Sequence, residues 1–429
     1  MLLRVICGMV TERMTSISSI IFYILTFLSV YVQVFFLVTF LENRKKIVIR
    51  KGEIKLEKYP SVTIMVPCWN EENTAYRTVR SLLNLNYPQN KLSIFLIDDG
   101  STDRTWEILE KFSKYNNVQT FKKENGGKHT ALNLGLSKVE TEFVGCLDAD
   151  SIADRESLVR IMSTFEKNPS TMAVAPSVVV NEPKNIIQGA QTSEYYLGVF
   201  LKQMLGFLGA IHVTPGPLTI FRTKVFQDLG PYRRAHNTED MEIAYRMQKN
   251  HYKIAHCNDA YVYTNTPHTI PTLFKQRLRW VYGFINNTID YRNVLFKRKY
   301  GNFAFFTLPA GIISIFAVSY LFGKMFYNLG RFIITKISDY ETYGLSPLNF
   351  YSHFKFDTFF INPQLLFFVF IAVYMLVIGS ILFGKRMAEG KWSVSLDLIY
   401  FFSVFGIVAP FWLMKAVFNT LLSRAPDWR

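Results

Sequence analysis

Four long apolar segments divide this chain of 429 residues, one near the N-terminus and three in the last third. They cover about residues 20–40, 303–326, 365–383 and 394–413. A helix of about 20 predominantly apolar residues crosses the hydrocarbon core of a bilayer, so each segment predicts a transmembrane helix. A signal peptide is the alternative for the first segment, but no small-residue cleavage site follows it. We therefore predict residues 1–44 with one span, an aqueous domain over residues 45–298, and a membrane region over residues 299–429.

Basic residues at the ends of these segments predict the orientation of the chain. Under the positive-inside rule, clusters of Lys and Arg next to a span stay in the cytoplasm. The clusters are Arg44, Lys45, Lys46, Arg50 and Lys51 after the first segment, Lys297, Arg298 and Lys299 before the second, and Lys385 and Arg386 after the third. All three predict a cytoplasmic aqueous domain at the plasma membrane, with residues 329–363 outside. Arg424 and Arg429 would also lie outside, so the side of the C-terminal tail stays open.

Charge and cysteine usage limit the class of partner. The formal net charge is +15, which is compatible with nucleic-acid binding. The basic residues nevertheless concentrate at the ends of the apolar segments, where anionic lipids attract them. This distribution favours the lipid bilayer as partner and argues against nucleic acid. Cys7, Cys68, Cys146 and Cys257 show neither metal-ligand spacing nor a disulfide framework, which fits a reducing compartment.

The aqueous domain shows the strand–helix alternation of an α/β fold. Short runs rich in apolar and β-branched residues are typical of buried strands. These runs are residues 61–66, 92–97 and 143–147. Helical patterns between them predict a mostly parallel sheet with helices on both faces, in which ligands bind beyond the carboxyl ends of the strands. Asn70, Asp98 and Asp148 stand at or just past such ends, so we expect them in one site.

Three carboxylate clusters follow one another along this domain, and each has two interpretations. They are Asp98-Asp99-Gly100-Ser101, Asp148-Ala149-Asp150 and Thr238-Glu239-Asp240. The first is compatible with a turn and helix cap, or with hydrogen bonds to a nucleobase or ribose. The second is compatible with a turn, or with a shared Mg²⁺ or Mn²⁺ ion whose shell phosphate oxygens complete. The third is compatible with a capping box, or makes Asp240 a general base toward an acceptor hydroxyl.

Two basic motifs complete the series. Gly126-Gly127-Lys128 is either a plain loop or a place where backbone amides and a lysine approach a diphosphate. Gln276-Arg277-Leu278-Arg279-Trp280 lies on an amphipathic stretch, and residues 194–207 form another, so both predict interfacial helices. Alternatively, Arg279 binds a diphosphate leaving group and Trp280 stacks on a sugar ring.

These five motifs, in this order, resemble those of the membrane-embedded, processive family-2 glycosyltransferases. That family includes the cellulose, chitin, hyaluronan and poly-N-acetylglucosamine synthases. The resemblance runs from about residue 61 to residue 283, and the flanking apolar segments extend it. It implies a nucleotide-sugar-binding fold of the GT-A type on the cytoplasmic side. It also implies metal-dependent, inverting transfer from a UDP-sugar to the end of a growing β-linked polysaccharide, which many members export.

The resemblance also assigns a role to each motif. The catalytic base would be Asp240, and the metal would be held by Asp150 and Asp148. The implied substrate-binding residues are Glu71, Asp98, Asp99, Lys128, Asp148, Glu239, Gln276, Arg279 and Trp280. Asp98 and Asp99 would contact the uridine, and Arg279 the diphosphate. Residues 213–217 stand where relatives have a loop that lines the acceptor cavity.

Some features depart from the resemblance or stay open. Only one N-terminal span is evident, whereas several relatives have two or more, and no cyclic-dinucleotide-binding domain is visible. The short architecture favours UDP-N-acetylglucosamine as donor, while linkage, chain length and accessory export subunits stay open. A non-processive transferase that adds one sugar to a lipid is the main alternative, and the QRLRW segment argues against it. A degenerate, non-enzymatic receptor or scaffold is disfavoured because every acid of the series is present.

Overall fold

The computed structural model describes residues 2–47, 52, 54–343 and 365–426. Its elements, in chain order, are α1 (Leu2–Asn43), β1 (Val62–Cys68), α2 (Ala75–Leu83), β2 (Leu92–Asp99), α3 (Thr105–Glu110), β3 (Val118–Lys123), α4 (Lys128–Leu136), β4 (Phe143–Cys146), β5 (Ser151–Ala153), α5 (Ser157–Lys167), β6 (Thr171–Val180), α6 (Ile186–Phe207), β7 (Ile220–Arg222), α7 (Lys224–Leu229), α8 (Glu239–Lys249), β8 (Lys253–Thr264), α9 (Ile270–Asp290), α10 (Leu308–Tyr343), α11 (Leu365–Glu389) and α12 (Asp397–Leu421).

The strands form one eight-stranded sheet in the order β3-β2-β1-β4-β7-β6-β8-β5. The neighbours β3–β2, β2–β1, β1–β4 and β6–β8 are parallel. The short strands β7 and β5 pair antiparallel with their neighbours, so the sheet is mixed. The predicted α/β fold is confirmed, and the antiparallel part comes from strands of three residues each, which are too short to show a period in the sequence.

The parallel half of the sheet explains why strand ends can assemble a site. In strands β1 and β2, Cys68 lies opposite Asp98, so both strands end at the same edge. Strand β4 pairs with the other side of β1, which brings the residues after β4 to that edge as well. Asp98, near the end of β2, and Asp148, just after β4, therefore lie at the same edge of the sheet on the two strands that flank β1, as the sequence predicts.

The sheet is held by apolar side chains on both faces. Ile64, Leu96 and Val144 are fully buried in the strands. Helix α2 buries Ala75, Val79 and Leu82 against the same core, at the spacing of one helical face. Full burial of such a large aliphatic side chain stabilises the fold by about 1.5–3 kcal/mol. This core fixes the strand ends to which the polar residues are attached.

In the described part of the chain, four helices are long and apolar enough to cross a membrane. They are Ile20–Lys46, Phe303–Thr335, Ile371–Glu389 and Asp397–Leu421. They overlap the four apolar segments of the sequence, so a helix of membrane-spanning length in each segment is confirmed. Part of the segment predicted to lie outside, residues 344–363, falls beyond the described residues, as do Arg50, Lys51 and Arg429.

The chain divides into two compact units. One contains Met1–Phe35 and Gly311–Val377, and the other contains Phe36–Ala310 and Ile378–Arg429. The second unit holds the whole sheet together with α6, α9 and α12. In it, Trp412 and Ala416 of α12 share an apolar cluster with Leu273 and Leu278 of α9. The helix that carries the QRLRW segment is therefore packed against the last candidate membrane helix.

Candidate active site

Asp98 is buried near the end of β2, and one of its two carboxylate oxygens lacks a hydrogen-bond partner in the described part of the chain. The residue is 0% exposed, and its Oδ1 accepts a hydrogen bond from the Ser101 amide at 3.1 Å. Within the described part of the chain, Oδ2 has no hydrogen-bond partner. A buried, unsatisfied carboxylate oxygen is costly. The geometry therefore suits an N–H or O–H donor of a ligand, which agrees with the predicted nucleobase or ribose contact of Asp98.

The carboxylate of Asp99 is used differently, because it holds the glycine loop. It accepts the Lys123 ammonium at 2.6 Å, the Gly126 amide at 3.2 Å and the Gly127 amide at 2.9 Å. Gly127 has a φ of 90°, a region that favours glycine, and helix α4 begins at the next residue. The Gly-Gly-Lys motif is thus a turn tied to β2 that aims Lys128. The uridine contact implied for Asp99 stays a prediction.

Lys128 joins two of the carboxylate clusters. Its Nζ lies 2.6 Å from Oδ1 of Asp148 and 3.2 Å from Oε1 of Glu239. Burial opposes the charged ammonium, but Asp148 and Glu239 outweigh it and raise the pKa of Lys128 well above its usual value. Lys128 is therefore a permanent cation between the end of β4 and the start of α8.

The loop of residues 213–217 closes over this ion pair. A Cβ on Gly216 would lie 2.6 Å and 2.7 Å from the two Asp148 oxygens and 2.7 Å from Nζ of Lys128. Only glycine lets the backbone approach the pair so closely. Thr214 of the same loop donates its amide and its hydroxyl to the carbonyl oxygen of Asp240, at 3.1 Å and 2.7 Å. The loop that the resemblance assigns to the acceptor side therefore touches both the ion pair and Asp240.

Asp150 lies in a concentration of negative charge. Burial, then Asp148, then Glu71 raise the pKa of Asp150 to about 7. Ser151 donates to its Oδ1 at 3.1 Å, and Glu71 accepts the Thr74 hydroxyl at 2.6 Å. Three crowded carboxylates favour a cation nearby. Among the residues that the structure describes, no three acidic, His or Cys side chains form a complete ligand set, so Asp148 and Asp150 suit a Mg²⁺ or Mn²⁺ ion that takes its other ligands from phosphate and water.

Asp240 stands in the first turn of α8, surrounded by charge. Burial, then Glu239, raise its pKa to about 6, while Lys128 and Arg279 act in the opposite direction. Its Oδ1 accepts the amide of Met241 at 2.9 Å. A carboxylate with a raised pKa near neutrality has the protonation behaviour of a general base.

Thr238 does not cap α8, which removes the capping-box interpretation of this cluster. It makes no side-chain cap hydrogen bond. Instead its hydroxyl donates to the Ala235 carbonyl at 2.9 Å and accepts Nδ2 of Asn287 at 2.9 Å. A Cβ on Gly283 would overlap the Thr238 side chain. Helix α9 thus approaches the start of α8 through a glycine and one buried hydrogen bond.

The same helix α9 brings the basic motif to the carboxylates. Burial lowers the pKa of the Arg279 guanidinium, whereas Glu239, Asp240 and Asp148 favour its charged form. Arg279 therefore shares the site with Lys128. Trp280 is 36% exposed. Gln276 accepts a hydrogen bond from Arg277 at 2.5 Å.

The structure thus unites most of the predicted residues and adds others. Asp148, Glu239, Asp240, Lys128 and Arg279 form one charged cluster, with Asp150 and Glu71 beside it. Residues without a sequence signal for this role are Glu194, Gly216, Arg277, Gly283 and Asn287. Two of them, Gly216 and Gly283, are glycines at which a side chain would collide with another part of the chain, and the sequence does not show that contact. The motif Gln-x-x-Arg-Trp specifies Gln276, Arg279 and Trp280, but it leaves position 277 unspecified.

Comparison with known sequences finds a family match for the part of the chain that carries Asp98, Lys128 and Asp148. Residues 63–230 match the family Glycosyl transferase family 2. The poly-beta-1,6-N-acetyl-D-glucosamine synthase of Staphylococcus epidermidis is 32% identical over 230 residues, which are 53% of this chain and 55% of the relative. The synthase of the same name from Staphylococcus aureus (strain MSSA476) is 30% identical over 237 residues, 54% of this chain and 57% of the relative. The chain therefore spans about half the length of the curated relatives it matches.

Comparison with solved structures supports the fold. The mannosyltransferase PcManGT from Pyrobaculum calidifontis, in complex with GDP-Man and Mn²⁺, is similar with a TM-score of 0.57 and 16% sequence identity. The similarity covers 93% of this chain and 99% of that chain. At this identity it shows a shared fold, which confirms the predicted GT-A type. The sequence match confirms the predicted enzyme class for the region that it covers: this chain carries a family 2 glycosyltransferase domain over residues 63–230.

Proposed function

We propose that this protein is a membrane-embedded synthase that transfers sugars from a UDP-sugar to the end of a growing β-linked polysaccharide, with inversion. The observation that carries this is the convergence of Lys128 at the start of α4, Asp240 at the start of α8 and Arg279 of α9, a helix that packs against a candidate membrane helix. UDP-N-acetylglucosamine is the favoured donor, since two curated relatives are named poly-beta-1,6-N-acetyl-D-glucosamine synthases.

The reaction is a single displacement at the anomeric carbon. A hydroxyl at the acceptor end attacks this carbon, the bond to the UDP oxygen breaks, and UDP leaves with the electron pair. Asp240, ionised, takes the proton of the attacking hydroxyl. The cations Lys128 and Arg279 stabilise the charge that develops on the departing diphosphate. One displacement inverts the anomeric configuration and forms no sugar–enzyme bond.

Residues other than the base would bind the donor. The unsatisfied Oδ2 of Asp98 would accept a donor group of the nucleoside, and Lys128 would approach the diphosphate. Asp148 and Asp150 would hold a divalent cation, Mg²⁺ or Mn²⁺, which neutralises part of the diphosphate charge when bound. Glu71 adds negative charge next to Asp150 and strengthens the attraction for that cation.

The membrane helices give the location. The clusters Arg44–Lys46, Lys297–Lys299 and Lys385–Arg386 support a plasma-membrane protein whose catalytic domain faces the cytoplasm. UDP-sugar would then be used where nucleotide sugars are made, and the polymer would leave across the bilayer. The four helices support a membrane path for the product, and accessory export subunits stay open.

The donor and the product can be tested in one experiment. Membranes that contain the full chain are incubated with each of several radiolabelled UDP-sugars, and the product is sized by gel and digested with linkage-specific glycosidases. We expect a long polymer from UDP-N-acetylglucosamine, and none from membranes that lack the chain. A single labelled sugar in the lipid fraction would instead establish the non-processive alternative. No transfer from any UDP-sugar would contradict the proposal.

The pH dependence tests the role of the base. With saturating divalent cation, which keeps Asp150 ionised, we expect kcat/KM to fall about tenfold per pH unit below pH 6 and to be level above it, because kcat/KM reports the ionisation of the free enzyme. The pKa of Asp240 is about 6, and its deprotonated form is the active one, so activity is lost on the acidic side. The charged groups that act on it are Glu239, Lys128, Asp148, Arg279 and Lys202. A level profile down to about pH 5 would be inconsistent with Asp240 as base.

A further inference from the structure

We propose that Arg277, locked by Glu194, is a positioning residue that orients Gln276 and Trp280 toward the acceptor end of the polymer. This rests on the proposed function. The resemblance assigns roles to Gln276, Arg279 and Trp280 and leaves Arg277 without one. The contacts of Arg277 nevertheless make it the centre of the motif.

Each of the three nitrogens of the Arg277 guanidinium has a hydrogen-bond partner. Nε lies 2.9 Å from Oε1 of Glu194 and Nη2 lies 2.5 Å from Oε2, so the pair is bidentate. Nη1 donates to Oε1 of Gln276 at 2.5 Å. Arg277 is 3% exposed. Bidentate pairs of this kind fix direction as well as distance, so the plane of the guanidinium is set by helix α6.

The Arg277 guanidinium also contacts the ring of Trp280. The guanidinium carbon lies 4.0 Å from the centre of the Trp280 ring, within the range of a cation–π contact. The two residues are three positions apart on α9, where side chains share one face. Trp280 keeps 36% of its surface exposed, so the ring is supported by Arg277 and still accessible. An aromatic ring held in this way can present an apolar surface to a sugar.

Helix α6, which carries Glu194, packs against the candidate membrane helix α12 of the same compact unit. Glu194 belongs to α6, and a Cβ on Gly189 of that helix would lie 2.8 Å from Asp397 of α12. Helix α12 also packs against α9 through Trp412 and Leu278. Helices α6, α9 and α12 therefore form one assembly, and the ion pair of Arg277 with Glu194 fixes the rotation of the QRLRW face within it.

Lysine cannot replace Arg277 in this role. Its ammonium is a point charge without the planar fork, so it cannot bind both Glu194 oxygens, hold Gln276 and stack on Trp280 at once. Loss of Glu194 leaves the buried Arg277 charge without compensation, which is destabilising. Of the groups on the nucleotide side, Asp98 and Lys128 lie on other elements, and Arg279 shares α9 with Arg277. We therefore expect acceptor binding to change far more than UDP binding.

The test uses the full chain in membranes with Arg277→Lys, Glu194→Gln and the double exchange Glu194→Arg with Arg277→Glu. The assay measures product length, the KM and kcat for an added oligosaccharide acceptor, and UDP affinity. We expect Arg277→Lys and Glu194→Gln to shorten the product and to raise the acceptor KM about tenfold, with UDP affinity within about twofold of wild type. The double exchange should restore an ion pair but keep the acceptor KM raised, because a glutamate at position 277 can neither donate to Gln276 nor support the Trp280 ring. Lys275→Ala, at an exposed position of the same helix, is the matched control and should leave all three unchanged.

The outcomes separate the two proposals. Wild-type product length and acceptor KM in both single variants would overturn the positioning role and leave the proposed function intact. Equal loss of UDP and acceptor binding would overturn it as well, because the residues would then support the whole site. A wild-type protein that elongates no acceptor would overturn the proposed function, and this inference with it.

Discussion

Replacing Asp240 with asparagine should abolish sugar transfer while UDP binding stays close to that of the wild type. Asparagine has nearly the same shape but cannot take the proton of the attacking hydroxyl. Loss of a positioned base lowers rates by about 10²–10⁴-fold. Asp240 is also fixed through its main chain, because Thr214 donates to its carbonyl oxygen, so the substitution should leave the loop and helix in place. The measurement is the initial rate of polymer formation at saturating UDP-sugar, together with UDP affinity.

The design of that experiment isolates the carboxylate. Asp228→Asn makes the same chemical change at an exposed position of α7 and should keep wild-type activity. UDP affinity serves as the check that the site is intact, since the proposed nucleotide contacts of Asp98 and Lys128 do not involve Asp240. If Asp240→Asn transferred sugar at a near-normal rate, another group would have to be the base.

Removal of divalent cations should stop transfer, and Asp150→Asn should weaken the response to added metal. Two carboxylates alone cannot complete the shell of Mg²⁺ or Mn²⁺, so the diphosphate and water supply the other ligands. Metal and UDP should therefore bind together. We expect EDTA to reduce transfer to background and added Mg²⁺ or Mn²⁺ to restore it. Asp150→Asn should raise the metal concentration for half-maximal activity by at least about tenfold, since changing even a residue that only hydrogen-bonds to a metal ligand commonly costs about 10–100-fold.

A second measurement makes the metal prediction independent of turnover. UDP affinity is determined with and without Mn²⁺, and the gain that Mn²⁺ gives to the wild type should be reduced in Asp150→Asn. Asp154→Asn is the control, since Asp154 lies in the same segment and its Oδ1 accepts the amide of Glu156 at 3.0 Å. Transfer that is indifferent to EDTA, together with UDP affinity that is indifferent to Mn²⁺, would rule out the metal role of Asp150 and Asp148.

Much of the site could be predicted because its parts are local. A carboxylate that directly follows an apolar run stands at a strand end, and the ends of parallel strands meet at one edge. This reasoning placed Asp98 and Asp148 correctly. The apolar segments predicted four membrane-length helices for the same reason, since length and composition are properties of one stretch of chain. Helical periodicity also predicted that the QRLRW segment lies on a helix.

Other features depend on which elements come to lie together. Thr238 was equally compatible with a capping box until α9 supplied Asn287 as its partner. Asp99 directly follows Asp98 in the sequence, yet its oxygens are occupied by Lys123 at the end of β3 and by the glycine loop that follows. Arg277 and Glu194 are separated by 83 positions, and no periodicity in either helix indicates that they meet.

The sequence by itself determined the membrane segments, the α/β alternation and the chemical types of the site residues. The tertiary structure decided which of those residues meet. Lys128 lies between Asp148 and Glu239, Gly216 lies against the ion pair of Lys128 with Asp148, and Glu194 binds Arg277. The physical reason is the distance along the chain over which each effect acts. Propensity and polarity act over a few residues of chain, whereas the pKa of Asp240 and the orientation of Trp280 depend on burial and on charges from distant segments, which exist only once the helices have packed on the sheet.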